Sequence, residues 1–259
     1  MKIVRRLFQV LVVLAVIYLA AGWGERSFEH FCPFGGMESL FALATSRTIT
    51  CAISPWNFAV FFAVLGLTLA SKKSFCGWIC PVGFMYELLA KIQVRLFRKK
   101  TIPPVGIDRW LRLLRYVVLI VVLFFTWKSG ELVFRGYDPY YLVFSGMGHG
   151  TVGTLSVLVI IILLVSGLLI KMSWCRYFCP MSAVMDGFSV PSILAVKRDS
   201  DRCTECRSCD DSCEHDLRPS QRRVVVHRDC TNCLNCLEAC PEAGCLTLTL
   251  NNRFRRIEP

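Results

Sequence analysis

The sequence predicts a mostly α-helical membrane protein: four transmembrane helices in two repeated hairpins, then a small α+β domain rich in cysteine. Three observations predict it. Four apolar stretches approach or reach the roughly 17–25 residues needed to cross a bilayer. A Cys-x-x-x-Cys-Pro motif follows the second and the fourth of them. A doubled run of cysteines fills the carboxyl-terminal part. The chain has 259 residues, 54% of them apolar, and a mean hydropathy of +0.49. Residues 1–196 are expected to form the membrane domain and 197–259 the soluble one.

The apolar stretches are Leu7–Trp23, Trp56–Ala70, Tyr116–Phe134 and Val152–Ile170. The last holds no charged residue, which argues against a buried helix of a soluble protein. The first has a basic start and ends in Ala20-Ala21-Gly22, as a secretory signal would. Its apolar run is long for a signal peptide, so an uncleaved signal anchor is expected. The net charge is +11, yet from Lys197 onward 11 basic residues face 11 acidic ones. The excess therefore lies in the membrane part and no nucleic-acid partner is expected. With the amino terminus inside, fifteen basic residues flank the inner face, including Arg5, Arg6, Lys72, Lys73, Lys99, Lys100 and Lys171. Only Arg26, Arg47, Lys128 and Arg135 flank the outer face. This asymmetry predicts a multi-pass inner-membrane protein with both termini cytoplasmic.

The membrane part repeats a unit of about 100 residues. Cys76-Gly77-Trp78-Ile79-Cys80-Pro81 ends the first hairpin and Cys175-Arg176-Tyr177-Phe178-Cys179-Pro180 the second. Cysteines four apart share a helix face, and proline after the second fits the first turn of a new helix. Segments 82–97 and 181–196 follow. The first carries Glu87, Lys91, Arg95 and Lys99 at helical spacing, as an interfacial amphipathic helix or a solvated face would. Pseudo-symmetry would bring Cys76, Cys80, Cys175 and Cys179 together as one site. They would hold a further metal or iron–sulfur centre, or act as redox dithiols. The bland alternative is a pair of helix turns with buried cysteines. In the outer loops, proline turns precede short apolar segments at Ser39–Thr45 and Leu142–Ser145, expected to be re-entrant or to lie in the interface. Cys32 and Cys51 stand on the oxidising side, where a disulfide is possible.

The soluble part reads Cys203-x-x-Cys206-x-x-Cys209-x-x-x-Cys213, then Cys230-x-x-Cys233-x-x-Cys236-x-x-x-Cys240-Pro241. This is the bacterial ferredoxin spacing, written twice. Each close triplet caps three irons of one [4Fe–4S] cluster, and the trailing cysteine ligates the other cluster. Cluster one is therefore expected on Cys203, Cys206, Cys209 and Cys240. Cluster two is expected on Cys230, Cys233, Cys236 and Cys213. A zinc or disulfide scaffold would show separated Cys-x-x-Cys pairs instead. Glu214 stands where proline follows the fourth cysteine in the other half. His215 and His227 read as structural.

Taken together, four spans, two Cys-x-x-x-Cys-Pro motifs and a two-cluster ferredoxin module resemble the NapH-type quinol-dehydrogenase ferredoxin subunits. The stretch Cys32–Glu38 is similar to that family's first outer loop. The resemblance implies oxidation of membrane quinol and delivery of electrons to a periplasmic reductase through partner subunits, iron–sulfur or cytochrome proteins. His30, Glu38 and His149 are the candidates for hydrogen bonds to a quinone ring. Two relatives supply rivals. NosR-type regulators add an outer flavin domain, not expected where the first apolar run begins at residue 7. CcoG-type copper-oxidase assembly proteins add a carboxyl-terminal domain, not expected after Leu246. In that alternative the chain is a membrane copper reductase or assembly factor, and Cys76, Cys80, Cys175 and Cys179 bind the metal. No Gly-x-Gly-x-x-Gly fingerprint, Walker loop or Cys-x-x-Cys-His haem site occurs, so neither NAD reduction nor covalent haem is expected.

Overall fold

The computed structural model describes residues 2–22, 32–46, 55–97, 103–129, 138–139 and 154–251. These fold into two compact units. One gathers residues 1–10, 65–84 and 184–259, the other residues 11–64 and 85–183. The first strand of the cysteine-rich module begins at Leu194, ahead of the boundary expected at residue 197.

Helices occupy all four apolar stretches: α1 (Lys2–Gly22), α3 (Pro55–Ser71), α7 (Leu114–Ser129) and α8 (Thr154–Leu169). Between them lie α2 (Pro33–Ser46), α4 (Ser74–Trp78), α5 (Pro81–Phe97) and α6 (Val105–Leu111). Among the described residues one stretch, Gly106–Lys128, is long and apolar enough to cross a bilayer, and Trp56–Ser71 and Val157–Leu169 fall short. At 1.5 Å per residue a 16-residue helix reaches only about 24 Å, against a hydrocarbon core of about 30 Å.

The second unit has its polarity turned inside out. Val117, Ile120, Phe124 and Phe125 of α7 and Val157, Leu158, Ile161 and Ile162 of α8 are exposed. Glu38, Asn57, Gln93, Arg115 and Thr126 are buried. Glu38 on α2 accepts a hydrogen bond from Thr126 Oγ1 of α7 at 2.8 Å. Gly36 lets α2 approach α3 closely, since a Cβ there would stand 2.4 Å from the Asn57 carbonyl oxygen. On α5, Tyr86 Oη donates to the Leu163 carbonyl of α8 at 2.9 Å, and Gln93 Nε2 to the Leu169 carbonyl at 2.6 Å. Glu87 is buried while Lys91 and Arg95 are exposed. Glu87 therefore does not share a solvated face with Lys91 and Arg95, and Lys99 lies outside the described residues.

The first unit holds the cysteine-rich module. Strands β1 (Leu194–Arg198), β2 (Val224–Val225) and β3 (Leu246–Leu250) form an antiparallel sheet in the order β2-β1-β3. Val196 faces Val225 on one side and Leu248 on the other. Short helices α10 (Ser208–Ser212) and α11 (Asn235–Ala239) carry the third cysteine of each triplet, Cys209 and Cys236, and α9 (Pro180–Ser189) precedes the sheet. The core is Val196, Cys209, Leu217, Val225, Leu234 and Leu246, with Trp78 and several cysteines packed against it.

Candidate functional site

The two cysteine loops of the module have the same backbone. Glu205 and Arg207 adopt left-handed φ in the first, as Asn232 and Leu234 do at the matching positions of the second. Alternation of right- and left-handed residues turns successive N–H groups inward as an anion-binding nest. The sulfurs receive them in register. Cys203 accepts from the Glu205 backbone and Cys206 from Ser208. Cys230 accepts from Asn232 and Cys233 from Asn235.

Each expected quartet lines one cavity. Cys213, Cys230, Cys233 and Cys236 line a space of about 410 Å³, open mouth included, with His215, Thr231 and Asn232. Cys203, Cys206, Cys209 and Cys240 line a second, of about 320 Å³, with Arg198 and Cys245. Among the described residues, no three His, Cys, Asp or Glu side chains converge as a single-ion site. A cubane binds each thiolate at a separate iron, so a quartet spread around a cavity fits a cluster better than one ion. The electrostatics of the two cavities differ in part, although burial pushes Cys209, in the same quartet as Cys203 and Cys206, up to about 11. The Glu205 N–H and the Arg198 guanidinium hold the Cys203 thiol below its usual range, and Ser208 does the same for Cys206. In the other cavity, burial pushes Cys230 up to about 11 and Cys233 up to about 12. Sequence reasoning overlooked Cys245 and gave His215 only a structural role, yet both line these cavities.

The Cys-x-x-x-Cys-Pro motifs repeat in structure as well as in sequence. The Cys80 N–H donates to the Phe75 carbonyl and the Cys179 N–H to the Trp174 carbonyl, each at 2.9 Å and five residues back. This π-type closure is frequent at functional sites. Each motif is preceded by a left-handed residue, Lys72 or Met172, and followed by a helix that starts with proline. Gly83 allows the first turn, since a Cβ there would meet the Cys76 carbonyl oxygen at 2.4 Å.

The residues between the cysteines dock the two motifs differently. In the first unit, the Trp78 indole N–H donates to the Asn232 carbonyl at 3.0 Å. Asn232 Nδ2 donates to the Ser71 carbonyl at 3.0 Å. The Lys73 N–H reaches the Cys230 carbonyl at 3.3 Å. Gly77 lies against Thr231, and its carbonyl accepts from Arg5 and Gln9 at 3.1 and 3.0 Å. The first motif thus sits on the loop between Cys230 and Cys233. Cys76 Sγ also touches Met185 Sδ at 3.9 Å. In the second unit, Arg176 and Tyr177 reach Asp108 at 2.9 and 2.6 Å, and Arg112 joins them at 2.7 Å. Cys76 and Cys80 belong to one unit, Cys175 and Cys179 to the other.

Of the candidate quinone ligands, Glu38 is buried beside Thr126, while His30 and His149 lie outside the described residues. Cys32 has a free thiol, which donates to Asp138 Oδ2 at 3.3 Å. Cys51 and the 142–145 segment lie outside the described residues.

A family model described as a 4Fe-4S binding domain matches the chain twice, over residues 53–102 and 151–198. Each match contains one Cys-x-x-x-Cys-Pro motif. A 4Fe-4S dicluster domain matches residues 195–241. YccM of Escherichia coli is 29% identical over 230 residues, 86% of this chain and 63% of its own length. The ferredoxin-type protein NapH of the same organism is 30% identical over 194 residues, 71% of this chain and 64% of its own length. This chain belongs to the NapH/YccM-like 4Fe–4S electron-transport proteins. An uncharacterised protein of Methanocaldococcus jannaschii is 28% identical over 241 residues, 92% of each chain. The chain spans just under two thirds of the length of YccM and of NapH. No solved structure matches it.

Proposed function

We propose that this chain is the membrane-bound electron-transfer subunit of a quinol dehydrogenase. It relays electrons between membrane quinol and a respiratory reductase through partner subunits, iron–sulfur or cytochrome proteins. Two [4Fe–4S] clusters are held by crossed quartets: Cys203, Cys206, Cys209 and Cys240 for one, Cys230, Cys233, Cys236 and Cys213 for the other. Such clusters supply one-electron transfer, which quinol oxidation needs in two steps.

The observation that carries the reading is the seat of the first Cys-x-x-x-Cys-Pro motif on the Cys230–Cys233 loop. A soluble ferredoxin needs no helical anchor against its cluster loop. Here Trp78, Lys73 and Gly77 fix Cys76 and Cys80 beside it, and hydrogen bonds to its backbone restrict its motion. Nest N–H groups would offset the negative charge of the loaded thiolates, and burial around Cys230, Cys233 and Cys236 would exclude water. Exposed apolar faces on α7 and α8, over buried polar groups, are what lipid as solvent requires. That supports a membrane-spanning chain, and the basic asymmetry supports both termini cytoplasmic. Glu38, held by Thr126 in a buried setting, is the described candidate to take a quinol proton, with His30 and His149 beside it in role. Cys76, Cys80, Cys175 and Cys179 serve as the redox or metal relay on the membrane side.

The test uses full-length protein in lipid nanodiscs, loaded anaerobically, with a quinol analogue and the native partner complex. Quinol-driven reduction of the clusters, or their oxidation by quinone, is expected. Unresponsive clusters together with stoichiometric reduction of copper(II) would replace this reading with metal handling.

A further inference from the structure

We propose that the cluster-one site has five thiols for four irons, with Cys245 an alternative fourth ligand that can replace Cys240. The proposal rests on reading the cavity of Cys203, Cys206, Cys209 and Cys240 as a cluster site.

Cys245 lines that cavity together with all four expected ligands. The other cavity is lined by its four cysteines and no fifth. Cys245 is 3% exposed; its thiol donates to the Asp199 carbonyl at 3.7 Å and feels the charge of Cys240 and Cys203 across the cavity. The chain is built to bring it there. After Cys240 the backbone turns at Gly244, whose φ of +81° favours glycine. A Cβ at that point would meet an Arg202 guanidinium nitrogen at 2.9 Å. The Cys245 N–H closes the turn on the Glu242 carbonyl at 3.3 Å. Its own carbonyl accepts from the Asp199 N–H at 2.8 Å, which fixes the start of β3 beside the cavity.

A buried cysteine at a strand start is ordinarily a small hydrophobe. A purely packing role does not require it to line the same cavity as all four expected ligands. Cys240, by contrast, lies nearer the surface, with its sulfur 3.6 Å from the Glu242 carbonyl. Cys203 is tied by Arg198 and the Glu205 N–H, so Cys240 is the ligand free to exchange. In the exchange one iron–sulfur bond to Cys240 breaks and one to Cys245 forms. The proton of the Cys245 thiol passes to the departing Cys240 thiolate, and no electron moves.

The experiment compares C240A with C240A/C245A and with C240A/C245V, which keeps the buried volume better. Each full-length protein is purified anaerobically, and iron content and the reduced-cluster EPR spectrum are measured. Wild type should hold about eight irons by cubane stoichiometry. C240A should keep about eight irons. Both double variants should fall to about half, with the signal of the Cys230, Cys233 and Cys236 cluster at full intensity as proof of folding. Loss of half the iron in C240A alone would overturn the proposal, as would retention of all of it in the double variants. A wild type without clusters would instead overturn the electron-transfer reading on which the proposal rests.

Discussion

Replacing Lys73 by methionine should loosen the loop that carries Cys230. Lys73 Nζ lies 2.7 Å from Asp186 and 3.5 Å from Asp229, and all three side chains are no more than 5% exposed. Asp229 immediately precedes Cys230, whose carbonyl also accepts the Lys73 N–H. One cation therefore ties α9 and the Cys230 loop to the turn that begins the first Cys-x-x-x-Cys-Pro motif. Lysine at this position gives up its hydration, and the two carboxylates recover the loss. Without it, the two buried carboxylates lose the cation they share, although His227 stays 3.8 Å from Asp229. Removing one partner of a buried pair costs about 3–5 kcal/mol. At about 1.4 kcal/mol per tenfold, a cost falling on the folded state should speed loss of that cluster by on the order of a hundredfold or more. The assay follows decay of the cluster EPR signal in fixed urea at one temperature. Lys73→Arg, which keeps the charge, should lose far less. Arg202→Met is the control, because its pair with Asp199 is 3.6 Å long and largely exposed, and exposed pairs contribute little. A K73M rate within about threefold of wild type would refute the reasoning.

Trp78→Phe removes the donor to the Asn232 carbonyl, at a cost of about 1–3 kcal/mol if that acceptor stays buried. Quinol-driven cluster reduction should slow at unchanged iron content, read by stopped-flow absorbance. Gly83→Ala should lower the thermal midpoint by the equivalent of about 1–3 kcal/mol, since the clash is with backbone at Cys76 and no side chain can swing away. Cys213→Ser should damage the EPR signal of the cluster on Cys230, Cys233 and Cys236 and leave the other intact; the reverse pattern would break the crossed assignment. During chemical reconstitution near pH 7, the Cys203 and Cys206 cavity should load first. Cys203 and Cys206 are lowered and lose protons more readily than Cys230 and Cys233, raised to about 11 and 12, while Cys209 of the first cavity, at about 11, matches Cys230. Iron must displace those protons, so the lag of the second cavity should shrink as pH rises.

The helices and the cysteine quartets were legible because each depends on short-range spacing. Apolar runs marked α1, α3, α7 and α8, and triplets with a trailing cysteine marked the two cavities. Positions 77–78 and 176–177 show where this stops. They occupy equivalent places in the repeat, yet Gly77 and Trp78 dock on Thr231 and Asn232 while Arg176 and Tyr177 dock on Asp108. No local pattern distinguishes these outcomes, because the partners lie far away in sequence. Lys73 read as one of many inner-face cations for the same reason; Asp186 and Asp229 convert it into a buried tie. Cys245 was missed because a cysteine beginning a β-strand looks like core. The Gly244 turn just before it was the available signal. Glu38 was singled out in the first outer loop as a candidate quinone partner, but its Thr126 partner needed the packing of α2 on α7.

The central claim is that electrons reach the ferredoxin module by way of the first Cys-x-x-x-Cys-Pro motif. The direct measurement is quinol-driven cluster reduction in nanodiscs by wild type and by Cys80→Ser, with dithionite reduction as the measure of intact clusters. The account predicts that C80S keeps full dithionite-reducible signal and loses reduction by quinol. Quinol reduction of C80S at the wild-type rate would contradict it.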